Sequence, residues 1–140
     1  MIELNITPVT APRQNRSDAW RERPSVKKYR DYRDKVNDEL NKGGEWQPAL
    51  EGAVLFVMPM AKSWSNKKKE SKLGTVHDQK PDVDNLLKAW LDSLFRDKDM
   101  DDALVHTYLV RKVWGYEGKI VFSTLDEIDS ILSYEVQGQK

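Results

Sequence analysis

With 140 residues the chain has room for one domain with a core of its own, and its 23 Lys and Arg are balanced by 23 Asp and Glu. Five Trp, five Tyr and three Phe exclude a disordered chain, and the absence of Cys excludes disulfides and thiolate metal centres. No apolar run is long enough to span a membrane, and the opening MIELNITPVTAPRQ lacks the basic-then-apolar pattern of a signal peptide, so a cytoplasmic protein is expected.

At the start of the chain, IELNIT (residues 2–7) alternates apolar and polar residues, which predicts a half-buried strand ended by Pro8 and Pro12. Residues 13–23 are polar and basic and read as a loop. Ser25 can cap a helix in which Val26, Tyr29, Tyr32, Val36 and Leu40 recur at helical spacing until Gly43-Gly44. LEGAVLFVMPM (50–60) predicts a buried strand, with Gly52 a candidate bulge. Residues 61–80 contain Lys67, Lys68, Lys69 and Lys72, and read as a loop or a short exposed helix.

An amphipathic helix is predicted next, with Val83, Leu86, Leu87, Trp90, Leu91 and Leu94 as one apolar stripe. An acidic turn (95–102) leads to a strand over 104–114. GYEG (115–118) then predicts a hairpin turn into a returning strand over 119–123. Ile128, Ile131 and Leu132 suit a short final helix. Helices mixed with an incompletely parallel sheet predict an α+β fold, a small mixed sheet with helices packed on it in one domain spanning 1–140.

The zero net charge hides a segregation: residues 1–80 hold 16 basic against 11 acidic side chains, and residues 81–140 hold 7 against 12. An acidic focus beside a basic surface suits a metal-dependent enzyme acting on phosphates, or two halves that neutralise each other across a fold.

The acidic focus centres on KPDVDN (80–85). If the helix began at Asp82, the carboxylates of Asp82 and Asp84 would lie about 200° apart around its axis and could not easily share an ion. If Asp82-Val83-Asp84 is extended, both point the same way, with Asp84 as the last residue before the helix or its cap. Lys88, four residues past Asp84, would then join them at the helix mouth. Mg²⁺ takes hard oxygen ligands and needs only one or two carboxylates beside waters and substrate phosphate. A third acid would come from Asp97, Asp99, Asp101 or Asp102. Taken alone, D-x-D-N at a helix start is more often a capping signal than a metal site.

The combination is more specific. KPDVDNLLKAWLDSL followed by DDALV (101–105) closely resembles the RusA family of Holliday-junction resolvases, small endodeoxyribonucleases of bacteria and prophages that act in DNA recombination and repair. Asp82 and Asp84 match the family's aspartate pair, Lys88 its lysine and Asp102 its third catalytic aspartate. The resemblance implies Asp82, Asp84 and Asp102 as Mg²⁺ ligands, Lys88 as a catalytic partner, and a homodimer making paired nicks in four-way DNA. It is strong over residues 80–122 and fainter at the N-terminus, where Asn15 and Arg16 look similar to the family's opening. The lysine-rich stretch 61–80 looks like an insertion, and 125–140 an extension that the pattern does not map.

On this reading Lys67, Lys68, Lys69, Lys72 and Lys80 run along a DNA backbone without sequence preference, and Arg13, Asn15 and Arg16 form a second patch with Arg21 and Arg23. Trp20 is a candidate for stacking on an unpaired base, though such a Trp more often packs on its own domain. His77 could touch phosphate or a metal-bound water, though a loop histidine more often has no role. Three other classes stay open: a dehalogenase-like phosphatase, whose D-x-D closes a strand rather than opening a helix, a non-catalytic DNA-binding module, and a protein-interaction domain.

Overall fold

The computed structural model describes residues 1–12, 23–42, 48–96 and 98–137. Its strands are β1 (Ile2–Leu4), β2 (Glu51–Pro59), β3 (Thr107–Gly115) and β4 (Lys119–Ser123), and its helices are α1 (Pro24–Asn41), α2 (Asn66–Lys72), α3 (Val83–Leu94) and α4 (Ile128–Leu132). They form the predicted α+β arrangement around one mixed sheet in the order β1-β4-β2-β3. β2 pairs parallel with β3 and antiparallel with β4, and β4 pairs antiparallel with β1.

β2 is the central strand, and its sequence shows why it is buried on both faces. Val54, Phe56 and Met58 face α1 and α3, in a cluster with Tyr29, Tyr32, Val36, Leu86, Trp90, Leu94, Trp114 and Ile120. Ala53, Leu55 and Val57 face the other way, against Val113, Val121 and Ile131 of α4. Strand alternation assigns each residue its side.

The predicted hairpin is not one. β3 and β4 are not neighbours, because β2 lies between them. The connection therefore passes over the end of β2, where the Met60 amide donates to the Gly115 carbonyl at 2.9 Å. A Cβ on Gly115 would collide with Val57 and one on Gly118 with Thr7. These glycines serve close approach of the chain to its neighbours rather than a tight hairpin.

Gly52 is not a bulge. It keeps regular register opposite Tyr108, and a Cβ there would sit 3.0 Å from the Ser123 carbonyl oxygen. α1 starts one residue before Ser25, with Arg23 as its cap and Pro24 in the first turn. The basic stretch 61–80 contains α2, whose cap Ser65 accepts from the Lys68 amide at 3.1 Å. The segment after α2 turns at Gly74, which has a φ of 76°. It then runs along the outer edge of β3, with Val76 bridging antiparallel to Val113. This strap covers an edge that would otherwise be open to pairing. Among the described residues no helix is long and apolar enough to cross a membrane.

Candidate active site at the mouth of α3

Helix α3 forms because its apolar residues fall on one stripe. Leu86, Ala89, Trp90 and Leu94 are buried, Leu87 and Leu91 are half-buried, and Val83 at the open end is exposed. The Trp90 ring meets Phe122 edge-on at 5.2 Å. With the stripe held against the sheet, the polar residues of the first turn project at the helix mouth.

The extended reading of Asp82-Val83-Asp84 is not borne out, since Val83 and Asp84 are helical and only Asp82 is extended, so alternation does not turn the two carboxylates to one side. Asp82 is the cap, in extended backbone (φ −72°, ψ 153°), and the helix starts at Val83. Asp84 is therefore inside the first turn, not before it. The decisive detail is what the Asp82 carboxylate does. At a cap position the side chain usually accepts from an amide of the first turn; here it makes no such bond, although the Asp82 carbonyl accepts from the Leu86 amide at 3.1 Å. Asp82, Asp84 and Lys88 are all exposed.

The acidic turn behaves oppositely. Asp101 does cap: its carboxylate accepts from the Ala103 amide at 2.9 Å, at the start of the 3₁₀ turn Asp102–Leu104. Asp102 is left exposed beside it. Its carboxyl is pushed above its ordinary value by desolvation, then by the hydrogen bond and charge of Asp101, with the charge of Asp92 adding to them. A divalent cation relieves like-charge crowding of this kind. Asp92 lies two turns beyond Asp84 on α3 and accepts from the Tyr29 hydroxyl of α1 at 2.5 Å. Sequence reasoning passed over Asp92; its spacing of four residues from Lys88 was the available signal.

The donors suit a hard cation, since all are carboxylate oxygens. Asp82 and Asp84 share the helix mouth. Among the described residues, however, no three His, Asp or Glu side chains form a group able to hold a metal ion, so Asp102 is not gathered onto the pair in this structure. Asp97 lies outside the described residues.

The segment entering the mouth is held from β3. Lys112 Nζ donates to the carbonyls of Gln79 (2.5 Å) and Pro81 (2.7 Å), and the Lys112 carbonyl accepts from the His77 amide at 3.0 Å. The Lys80–Pro81 bond is cis. His77 is buried rather than an idle loop residue, and its ring packs on Trp114 at 4.1 Å. Trp114 in turn meets Trp64 at 4.8 Å, and the Lys68 ammonium stands 4.0 Å over the Trp64 ring. Of the α2 lysines, Lys67 and Lys68 are exposed and Lys69 and Lys72 half-buried, while Lys80 is exposed. Arg13, Asn15, Arg16, Trp20 and Arg21 lie outside the described residues.

No curated protein and no solved structure matches the chain. The family model described as endodeoxyribonuclease RusA matches residues 5–123, which takes in β2, all of α2 and α3, the acidic turn and β4. The match begins well before residues 80–122, where the motif resemblance is strongest. The chain belongs to the RusA family, whose members are endodeoxyribonucleases that resolve Holliday junctions.

Proposed function

We propose that the mouth of α3 is the catalytic centre, and that Asp82, Asp84 and Asp102 hold Mg²⁺ there. The observation that supports this most is the Asp82 carboxylate, which occupies a cap position without capping. It stands exposed beside Asp84, at the helix end whose positive dipole favours carboxylates and phosphate. When bound, Mg²⁺ supplies Lewis-acid stabilisation of the charge that builds on a phosphodiester under attack by water.

The chain's own residues supply the rest. Asp82 and Asp84 set the position of the scissile phosphate relative to α3. Lys88, one turn inward from Asp84, pairs with a phosphate oxygen and stabilises charge on it in the transition state. Asp102, in the acidic turn that follows α3, would complete the ligand set. Lys67, Lys68, Lys69, Lys72 and Lys80, with Arg13, Asn15 and Arg16, hold phosphates of the arms away from the cut. Two copies related by a twofold axis place two such centres on opposite strands, so the nicks are paired and symmetric. One domain spans 1–140, with 61–80 an insertion bearing the basic helix and 125–140 an extension.

The test is a nicking assay on a synthetic four-way junction, with linear duplex as control, for wild type and Asp84→Asn, each in Mg²⁺ and in EDTA. Wild type should cut only the junction, symmetrically and only with metal. Asp84→Asn should bind it and cut more than about a hundredfold more slowly, since even residues outside a metal's ligand shell are worth 10–100-fold. If both proteins bind the junction and neither cuts it with any divalent metal, these aspartates are structural and the reading is wrong.

A further inference from the structure

We propose that Lys112 is a positioning residue for the acidic mouth of α3, clamping the backbone that presents Asp82. This rests on the reading of that mouth as the catalytic centre. Strand alternation puts Lys112 on the same face of β3 as Val110 and Trp114, the face toward α3. A half-buried ammonium group there loses hydration and needs acceptors in return. It takes two carbonyls, those of Gln79 and Pro81, on either side of Lys80. Both are charge-assisted bonds, stronger than bonds between neutral groups.

Two features make the clamp necessary rather than incidental. Pro81 has no amide hydrogen, so its backbone can be pinned only through its carbonyl. The Asp82 carboxylate makes no bond to the first turn, so α3 does not orient it; its direction is set by the backbone that enters it. That backbone is fixed at the carbonyls of residues 79 and 81 by one side chain, and at the amide of residue 77 by the same residue's carbonyl. Two of the three ammonium donors are thereby committed to the chain itself. Lys112 thus differs from Lys88, whose exposed ammonium is placed for substrate.

The experiment compares wild type, Lys112→Met, Lys112→Arg and Asp84→Asn in three measurements. The first is Mn²⁺ binding without DNA, read by electron paramagnetic resonance. The second is amide exchange of the metal-free protein, and the third is junction binding in EDTA. Lys112→Met should weaken Mn²⁺ binding 10–100-fold, the range for groups that orient metal ligands. It should speed exchange at Lys80, Asp82 and Asp84 ahead of β2, and leave junction affinity unchanged. Lys112→Arg, which keeps the charge and two donors, should recover most of the loss. Normal Mn²⁺ binding in Lys112→Met beside lost binding in Asp84→Asn overturns the inference alone. So does exchange that rises equally across the sheet, which marks Lys112 as a general structural residue. Normal Mn²⁺ binding in Asp84→Asn overturns the site reading, and the inference falls with it.

Discussion

The two faces of the sheet are covered in different ways. The front carries α1 and α3 and a cluster rich in large rings, Trp90, Phe56, Trp114, Tyr29 and Tyr32. The back is closed by α4 and the segment after it, with Ile131, Ile128, Tyr134 and Val136 over Leu55, Val57 and Val121. The family match ends at residue 123, so this back cover is built entirely from residues C-terminal to the matched region. Every candidate catalytic residue belongs to the front: Asp82, Asp84 and Lys88 at or on α3, and Asp102 in the turn leaving it. The same central strand thus supports one face that carries the candidate site and one that packs against the C-terminal segment. The segment beyond the matched region belongs to the core, since Ile131 is buried against Leu55, Val57 and Val121.

Substitutions on each face separate the two roles. Trp90 is fully buried on the sheet-facing side of α3, so Trp90→Ala should cost about 3–5 kcal/mol and loosen the helix that presents the acids. Urea denaturation measures the first effect, and a parallel loss of Mn²⁺ binding measures the second. Ile131 is equally buried on the back, and Ile131→Ala should cost about 2–3 kcal/mol, near the low end for such truncations because a helix of five residues can settle into the space. Its Mg²⁺ dependence in the nicking assay should match wild type under conditions where it is folded. A shift in metal dependence with Ile131→Ala would show that the faces are coupled and the division is false.

Legibility in the sequence divides along the same line. The stripe of α3 and the continuous apolar run of β2 were readable because burial on one or both faces imposes a period or removes it. The strand at 119–123 and the final helix were readable for the same reason, whereas α2 buries no residue and the stretch 61–80 stayed open between a loop and a short exposed helix. The sheet order was not readable: GYEG satisfies a hairpin turn and a crossing over β2 alike, and only the close approach of Gly115 to Val57 decides between them. At the site, the motif singles out Asp82, Asp84, Lys88 and Asp102 as candidates but carries nothing of their state. Whether a carboxylate at a cap position caps is not written in the sequence: Asp101 accepts from the Ala103 amide, and Asp82 makes no such bond. Lys112 was invisible, since a lysine in a strand next to Val and Trp carries no pattern that points to carbonyls more than thirty residues away in the chain.

The smallest expected effect concerns the strap beside that lysine. His77 is buried against Trp114, and its Nδ1 finds no partner among the described residues. Burial lowers its proton affinity below the ordinary value of 6.5, the Lys112 ammonium lowers it further, and Asp78 and a backbone hydrogen bond oppose them in part. In the unfolded chain the imidazole takes its proton as pH falls through 6.5, whereas in the folded chain it stays neutral to lower pH. Over that interval the unfolded state binds more protons, so stability declines as pH drops and levels off only below the folded value. Urea midpoints between pH 7.5 and 5.5, above the range where ordinary carboxylates titrate, should show this decline in wild type. His77→Phe keeps a ring on Trp114 and should flatten it, and Lys112→Met, which leaves burial as the main opposing force, should show a shallower decline than wild type. Parallel slopes in all three proteins would assign the pH response to other groups and remove the strap from the electrostatics of the front face.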